Sequence, residues 1–273
     1  MILFPNCKIN LGLNILRKRD DGFHDLETVF YPLMIKDALE LVPNSQHPAS
    51  SINFSSSGFS IDGDPATNLC VKAFNLLKTD FPELPAVQMH LHKAIPMGAG
   101  LGGGSADGAF ALKLLNDSFN LDLSTEQVVT YALQLGSDCP FFIINQPCYA
   151  TSRGERMTKI ELDLSAYKFV VVNPGIHINT GWAFSNIVPS VPKRSIQETI
   201  GQPISTWKNE LTNDFELPVA KEHPAISSIK EQLYAAGAVY ASMSGSGSTV
   251  FGIFEKETSP ALDFPSSYFM AIV

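Results

Sequence analysis

PMGAGLGGGSADGAF, residues Pro96–Phe110, places Gly98, Gly100, Gly102, Gly103 and Gly104 within seven positions and follows them with Ser105. An apolar-periodic run continues through Phe110, Leu112, Leu114 and Leu115, which predicts a helix beginning at the end of the loop. A loop with so few side chains exposes its backbone N–H groups. The helix start adds unpaired donors and the positive end of a dipole. Together they make an anion cradle, and the anion expected there is a phosphate. Ordering so many glycines costs conformational entropy, so a turn without a ligand is the poorer reading.

Two familiar glycine fingerprints can be laid on this stretch, and neither holds. Gly98-Ala99-Gly100-Leu101-Gly102-Gly103 satisfies G-x-G-x-x-G, but a dinucleotide fold next needs a strand bearing an acid about 20 residues on. Here a second amphipathic helix, Ser124–Leu135, follows instead. The Walker spacing nearly fits from Gly98 through Gly103 to Ser105, yet Gly104 stands where the lysine belongs.

The chain has 273 residues, 45% hydrophobic and 17% charged, a globular composition for one large or two modest domains. A net charge of −8 argues against a nucleic-acid backbone as partner, though not against a small anion in a local pocket. No run approaches a membrane span, and MILFPNCKIN lacks the charged start of a secretory signal. Cys7, Cys70, Cys139 and Cys148 are scattered, so reduced thiols in a cytoplasmic protein are expected.

Residues 8–15 alternate. Ile9, Leu11, Leu13 and Ile15 share one strand face, and Lys8 and Asn10 share the other, close enough to touch one ligand. Strands are expected at Thr28–Ile35, Ala38–Val42, Ile52–Phe54 and Val87–His92, the last feeding the glycine loop. Thr67 or Asn68 can cap a helix over 68–78, and Ser124 with Gln127 forms a capping box before a stop at Gly136. His90 and His92 lack a third ligand nearby and read as surface histidines. Asp138 lies between a helix end and the apolar run Phe141–Ile144, and reads equally as a helix cap or a functional carboxylate. The character changes around Tyr149–Arg153, which sets a boundary near 152 between an N-terminal domain (1–152) and a C-terminal one (153–273). Strands at 238–243 and 249–254 flank Ser244-Gly-Ser-Gly-Ser248, which reads as a plain hairpin turn or as a second loop approaching the same polyanion. A last strand at 268–273 is expected to return to the first domain's sheet.

The central stretch resembles the phosphate loop of the GHMP kinases, and Ser244–Thr249 resembles their third motif. CKINLGLNILRKRDDGFHDLETVF at 7–30 and Leu135–Phe142 are similar to segments of one branch, whose members phosphorylate a cytidine-diphosphate-linked methylerythritol. The likeness runs from residue 5 to about 254. It implies an α+β, two-domain GHMP kinase fold with the active cleft between the domains. It also implies an ATP-dependent kinase, using Mg²⁺, that acts on the 2-hydroxyl of that alcohol on the way to isoprenoid precursors. Small-molecule partners are expected, with neither nucleic acid nor membrane.

Residue by residue, the resemblance makes Lys8 and Asp138 catalytic. It lines the nucleotide with Pro96, Met97, Gly98, Ala99, Gly100, Leu101, Gly102, Gly103, Gly104, Ser105 and Ala106, with Asn68 and Lys93 beside them. Ser105 is a candidate for the magnesium ion. Asn10, His24 and Thr180 fall among the substrate contacts, and Phe23 (where a tyrosine is common) with Phe184 would sandwich the cytosine. Ile178-Asn-Thr-Gly181 departs from the usual Ile-Pro-Thr-Pro. Alternatives are another GHMP kinase acting on homoserine or a mevalonate derivative, a non-catalytic nucleotide-binding protein of the same fold, and, third, a dinucleotide oxidoreductase.

Overall fold

The computed structural model describes residues 1–44 and 51–273. The chain forms two compact units, and neither is continuous in sequence. One holds Met1–Cys7, Met34–Met97 and Gly102–Gln146; the other holds Lys8–Leu33, Gly98–Leu101 and Pro147–Val273. The units therefore cut across the division near residue 152. The reason is strand pairing: Leu26–Phe30 lies antiparallel to Cys148–Ser152, which draws the early hairpin into the unit that contains the C-terminal half.

The first unit is built on a sheet ordered Ile2–Leu3, Ala38–Pro43, Val87–Lys93, Ile52–Gly58, with the last pair parallel. Leu39 faces Leu91 and Leu41 faces Met89 in register, so alternation puts these side chains on one buried face. Helices Leu69–Asp80 and Gly103–Phe119 pack together, burying Phe74 and Leu77 on one and Leu112 and Leu115 on the other. The sequence punctuation holds. Asn68 caps the first helix through Cys70 N at 2.8 Å, and Ser124 and Gln127 form the capping box of Thr125–Leu135. His90 and His92 lie on the outer face, where the hydroxyls of Ser55 and Ser57 hydrogen-bond them. The expected strand near Ile52 runs to Gly58. Residues 45–50, part of the Ser/Gly/Pro-rich segment before it, lie outside the described residues.

The second unit carries two sheets. Asn6–Lys18, His24–Lys36, Cys148–Ser152 and Arg156–Lys159 form one; Tyr240–Met243, Val250–Glu255, Tyr167–Asn173 and Phe269–Ile272 form the other. Leu13, Ile15, Val170, Val172, Ile226, Ile229, Leu233 and Phe254 are buried in a shared core, which helix Ala225–Ala235 helps to close. The final strand forms where expected but pairs with Tyr167–Asn173, Met270 opposite Val172, and so belongs to the C-terminal sheet. That corrects the expected return to the first domain. All four cysteines are buried free thiols.

Candidate active site

The first part of the glycine loop, Gly98–Leu101, belongs to the second unit, and three consecutive carbonyls pin it there. Ala99 O accepts from Thr249 N at 3.2 Å, Gly100 O from Ser244 Oγ at 2.8 Å, and Leu101 O from Lys8 N at 2.9 Å. The carbonyl side of the loop is thus committed to the protein. Gly98, Gly100 and Gly102 take positive φ (60°, 78° and 69°) and the residues between them do not. Alternation of that kind forms the amide nest that holds anions. The Ser244–Thr249 turn is more than a plain hairpin tip. A Cβ on Gly100 would stand 2.0 Å from Ser244 O, so the two Ser/Gly loops meet backbone to backbone.

Strand Asn6–Lys18 adds polar groups in the same unit. Lys8 and Asn10 share a face as expected, but that face is closed, Lys8 being 4% exposed. Lys8 Nζ donates to Asn10 Oδ1 at 2.6 Å and lies 4.8 Å from the centre of the Phe30 ring. Asn10 Nδ2 donates to Thr28 Oγ1 (2.9 Å), which donates to Gly12 O (2.6 Å), while Asn10 N donates to Ser244 Oγ (3.1 Å). Each polar atom in this chain fixes the next, so the lysine ammonium is held in one place. A solvated lysine face does not describe it.

The second part of the loop, from Gly102 on, belongs to the first unit. Helix Gly103–Phe119 starts after Gly102 with no side chain capping it. Its first amides are therefore the orphan donors that an anion would satisfy. Gly104 and Ser105 are half-buried in that first turn, with Ala106 buried behind them. A Cβ on Gly104 would meet only Met97 Cε, at 3.8 Å. Ser105 hydrogen-bonds Cys139, the residue after Asp138, which brings a second helix start alongside. Burial pushes the Cys139 thiol up to about 12, the Ser105 bond opposing and the Asp138 charge adding, so it is an inert thiol. Asp138 holds the N-cap position of Cys139–Ile144, but its side chain does not cap that helix. The cap reading therefore fails to explain the carboxylate.

Two expected contacts take other places. Lys93 has no exposed side-chain surface: its ammonium pairs with Asp37, and with Asp107 Oδ2 at 2.8 Å. Enclosed by these two carboxylates, it offers no side-chain contact to a nucleotide. The ring stacked on Phe184 is His24, at 4.7 Å between centres, with Phe215 edge-on to it. Phe23 instead lies exposed under the Arg153 guanidinium (4.7 Å), apart from the expected sandwich. Burial and the Lys18 charge lower the His24 pKa, favouring a neutral imidazole. Thr180 Oγ1 is 3.3 Å from Ser246 Oγ, and Asn68 spends its carbonyl oxygen on its helix.

The sequence reading gives no role to Asp37, Asp107 or Thr28. Two signals could have found the first pair's role. Lys93 has the strand parity of the buried Val87, Met89 and Leu91, so its charge points inward and needs carboxylates there. Asp107 interrupts a helix segment, Ala106–Leu112, that is otherwise glycine and apolar residues. Burial, with the neighbouring Asp37 charge, pushes the Asp107 carboxyl above its ordinary value against the pull of Lys93. Among the described residues no group of three or more His, Cys, Asp or Glu could hold a metal by itself, and no helix is long and apolar enough to cross a membrane.

Comparison with known proteins identifies the relatives of this arrangement. The GHMP kinases N terminal domain matches residues 68–146, and the GHMP kinases C terminal domain matches residues 196–262. A Bacteroides fragilis protein named 4-diphosphocytidyl-2-C-methyl-D-erythritol kinase is 50% identical over 269 residues, covering 98% of this chain and 97% of its own. The crystal structure of a 4-(cytidine 5'-diphospho)-2C-methyl-D-erythritol kinase superposes with a TM-score of 0.79 at 28% identity, covering 93% of this chain and 90% of that one. A mevalonate kinase structure superposes with a TM-score of 0.71 over 94% and 92% of the two chains, but at 13% identity it speaks for the fold alone.

Proposed function

The chain belongs to the GHMP kinase family of small-molecule kinases, and from that membership we propose that it transfers the terminal phosphoryl group of ATP to the 2-hydroxyl of 4-diphosphocytidyl-2-C-methyl-D-erythritol. The observation that carries this reading is the full-length likeness to a relative of that name, at 50% identity. The local geometry of each unit supports it: an amide nest at Gly98–Leu101 in the second, and in the first an uncapped helix start with a glycine at 104 whose missing side chain would meet only Met97 Cε. These are the features a polyphosphate needs.

Phosphoryl transfer in a loose transition state demands positioning and charge stabilisation more than covalent chemistry. We assign Asp138 the task of accepting and orienting the proton of the attacking hydroxyl, and Lys8 that of shielding charge on the transferring group. Asn10 and Thr28 hold the Lys8 ammonium, so its position does not depend on solvent. We assign His24, stacked on Phe184, to the polar edge of the cytosine, and the Phe23 ring to stacking; the lowered His24 pKa favours the neutral imidazole that such a contact uses. With no self-sufficient metal cluster among the described residues, Mg²⁺ would enter on the phosphates of ATP, with the Ser105 hydroxyl as a ligand. Bound there, the ion neutralises phosphate charge. A cytoplasmic location and a place in isoprenoid precursor synthesis follow from the same reading.

The test is a phosphate-transfer assay on the cytidylylated methylerythritol, with homoserine and mevalonate as competing alcohols and Asp138→Asn run in parallel. Turnover on the cytidylylated alcohol alone, falling by about 10²–10⁴ in Asp138→Asn, is expected. Preference for either other alcohol would move the chain to another GHMP activity. Nucleotide binding without transfer would make it a non-catalytic relative.

A further inference from the structure

The buried Lys93 cluster lies outside the chemistry just assigned, and burial of three ionisable groups is not explained by stability. Replacing a buried ion cluster by apolar residues is often neutral or stabilising, because desolvation offsets the attraction. What the cluster does provide is a set of ties at one place. Asp37 Oδ1 accepts from Ala94 N at 2.6 Å and from Ile95 N at 2.9 Å, the two amides by which the chain leaves strand Val87–Lys93. The other oxygen of Asp37 holds the Lys93 ammonium. That ammonium reaches on to Asp107 Oδ2, in the second turn of helix Gly103–Phe119. A Cβ on Gly103 would lie 3.2 Å from Lys93 Nζ, so the ammonium sits directly against the first helical residue. Strand exit and helix entry, the two anchors from which the glycine loop springs, are thereby fastened to one cation.

We infer that Lys93, with Asp37 and Asp107, is a positioning device for the phosphate loop: it fixes the direction of the Gly103 helix start relative to the strand exit, and so the aim of the amides that grip ATP. The inference rests on the kinase reading for its nucleotide. The orphan amides of a helix start point along its axis, and their use to an anion depends on that axis being held. Asp107 Oδ1 is buried without a hydrogen-bond partner among the described residues. Such a price is paid at sites that need a fixed geometry more than a satisfied core. The bidirectional grip also explains Gly103, since any side chain there would press on Ile95 Cγ2 at 3.0 Å and on the ammonium itself.

The experiment compares the full chain with Lys93→Met, Asp107→Asn and Asp107→Leu. Three quantities are read: the Kd of a non-hydrolysable ATP analogue by calorimetry, the KM values for ATP and for the cytidylylated alcohol, and Tm. Lys93→Met is expected to raise the analogue Kd and the ATP KM at least tenfold while the alcohol KM moves less than threefold. Asp107→Asn, whose amide oxygen still accepts from the ammonium, should stay within about threefold of the parent in ATP KM; Asp107→Leu should lose tenfold. Equal losses for both substrates, an unchanged analogue Kd in folded Lys93→Met, or indistinguishable Asp107 variants would overturn the inference. If Lys93→Met does not melt cooperatively, the Asp107 pair decides; if none of the three folds, the cluster is structural only and the inference fails. Should the parent bind the analogue but leave the alcohol untouched, the Kd series still reads the device, and only the proposed substrate falls.

Discussion

Gly100 and Gly104 lie four residues apart in one loop, and they are glycines for opposite reasons. Gly100 takes φ +78°, and a side chain there would run into the Ser244 carbonyl oxygen at 2.0 Å. Gly104 takes no positive φ, and the space where its Cβ would go is bounded only by Met97 Cε at 3.8 Å. The protein itself demands the first glycine. Among the described residues nothing crowds the second, and on the proposed kinase reading the phosphate is what keeps a side chain out. The stretch then divides in two: one part lets two backbones touch, and the other is proposed to leave a helix start bare for an anion.

The comparison breaks most visibly at Gly100. Gly100→Ala adds both a left-handed conformation and a backbone overlap, with a combined cost of about 3 kcal/mol or more. In a chain of this size that is a fall in Tm on the order of 10 °C, read by thermal melting without any ligand. A Gly100→Ala protein that melts like the parent would show that the two Ser/Gly loops do not touch as described.

The second glycine should behave in reverse. Gly104→Ala removes a poor helix former from a first turn with room for a methyl group, so stability should rise by a few tenths of a kcal/mol. Affinity for the ATP analogue should fall at least tenfold, about 1.4 kcal/mol, because the methyl group occupies the approach of a phosphate. Melting and calorimetry on one preparation separate the two effects. An unchanged Kd would return Gly104 to the ordinary glycines and remove the anion from the helix start.

The part of this division legible in the sequence is instructive. The glycine count, the helix after it and the strand before it were all readable, because local spacing sets them. So were the Asn68 cap, the Ser124 capping box and the common face of Lys8 and Asn10, each a matter of a few residues. Contacts across long separations were not. Ser244 meets Gly100 across 144 positions, and Lys93 meets Asp37 across 56, neither of which a periodicity can encode. The pairing of Leu26–Phe30 with Cys148–Ser152 is likewise non-local, and it is what interleaves the two units. The ring contacts of Phe23 and Phe184 in the structure were hidden for the same reason. Arg153, far along the chain, covers one face of Phe23, and His24 reaches Phe184 first.

A third glycine calibrates the other two. Gly22 takes φ +86° in the turn before Phe23 and His24, with no heavy atom within 4 Å of its missing Cβ. It shares the positive φ of Gly100 and, like Gly104, has no crowding neighbour. Gly22→Ala should therefore register strain alone, about 1 kcal/mol, a shift in Tm of a few degrees. The ATP analogue Kd should stay where it is, since the turn lies in a different stretch from the loop. If Gly22→Ala costs as much as Gly100→Ala, conformation rather than contact makes Gly100 indispensable, and the meeting of the two loops loses its energetic argument. If instead it costs about a third as much, the remainder at Gly100 measures what the Ser244 carbonyl adds.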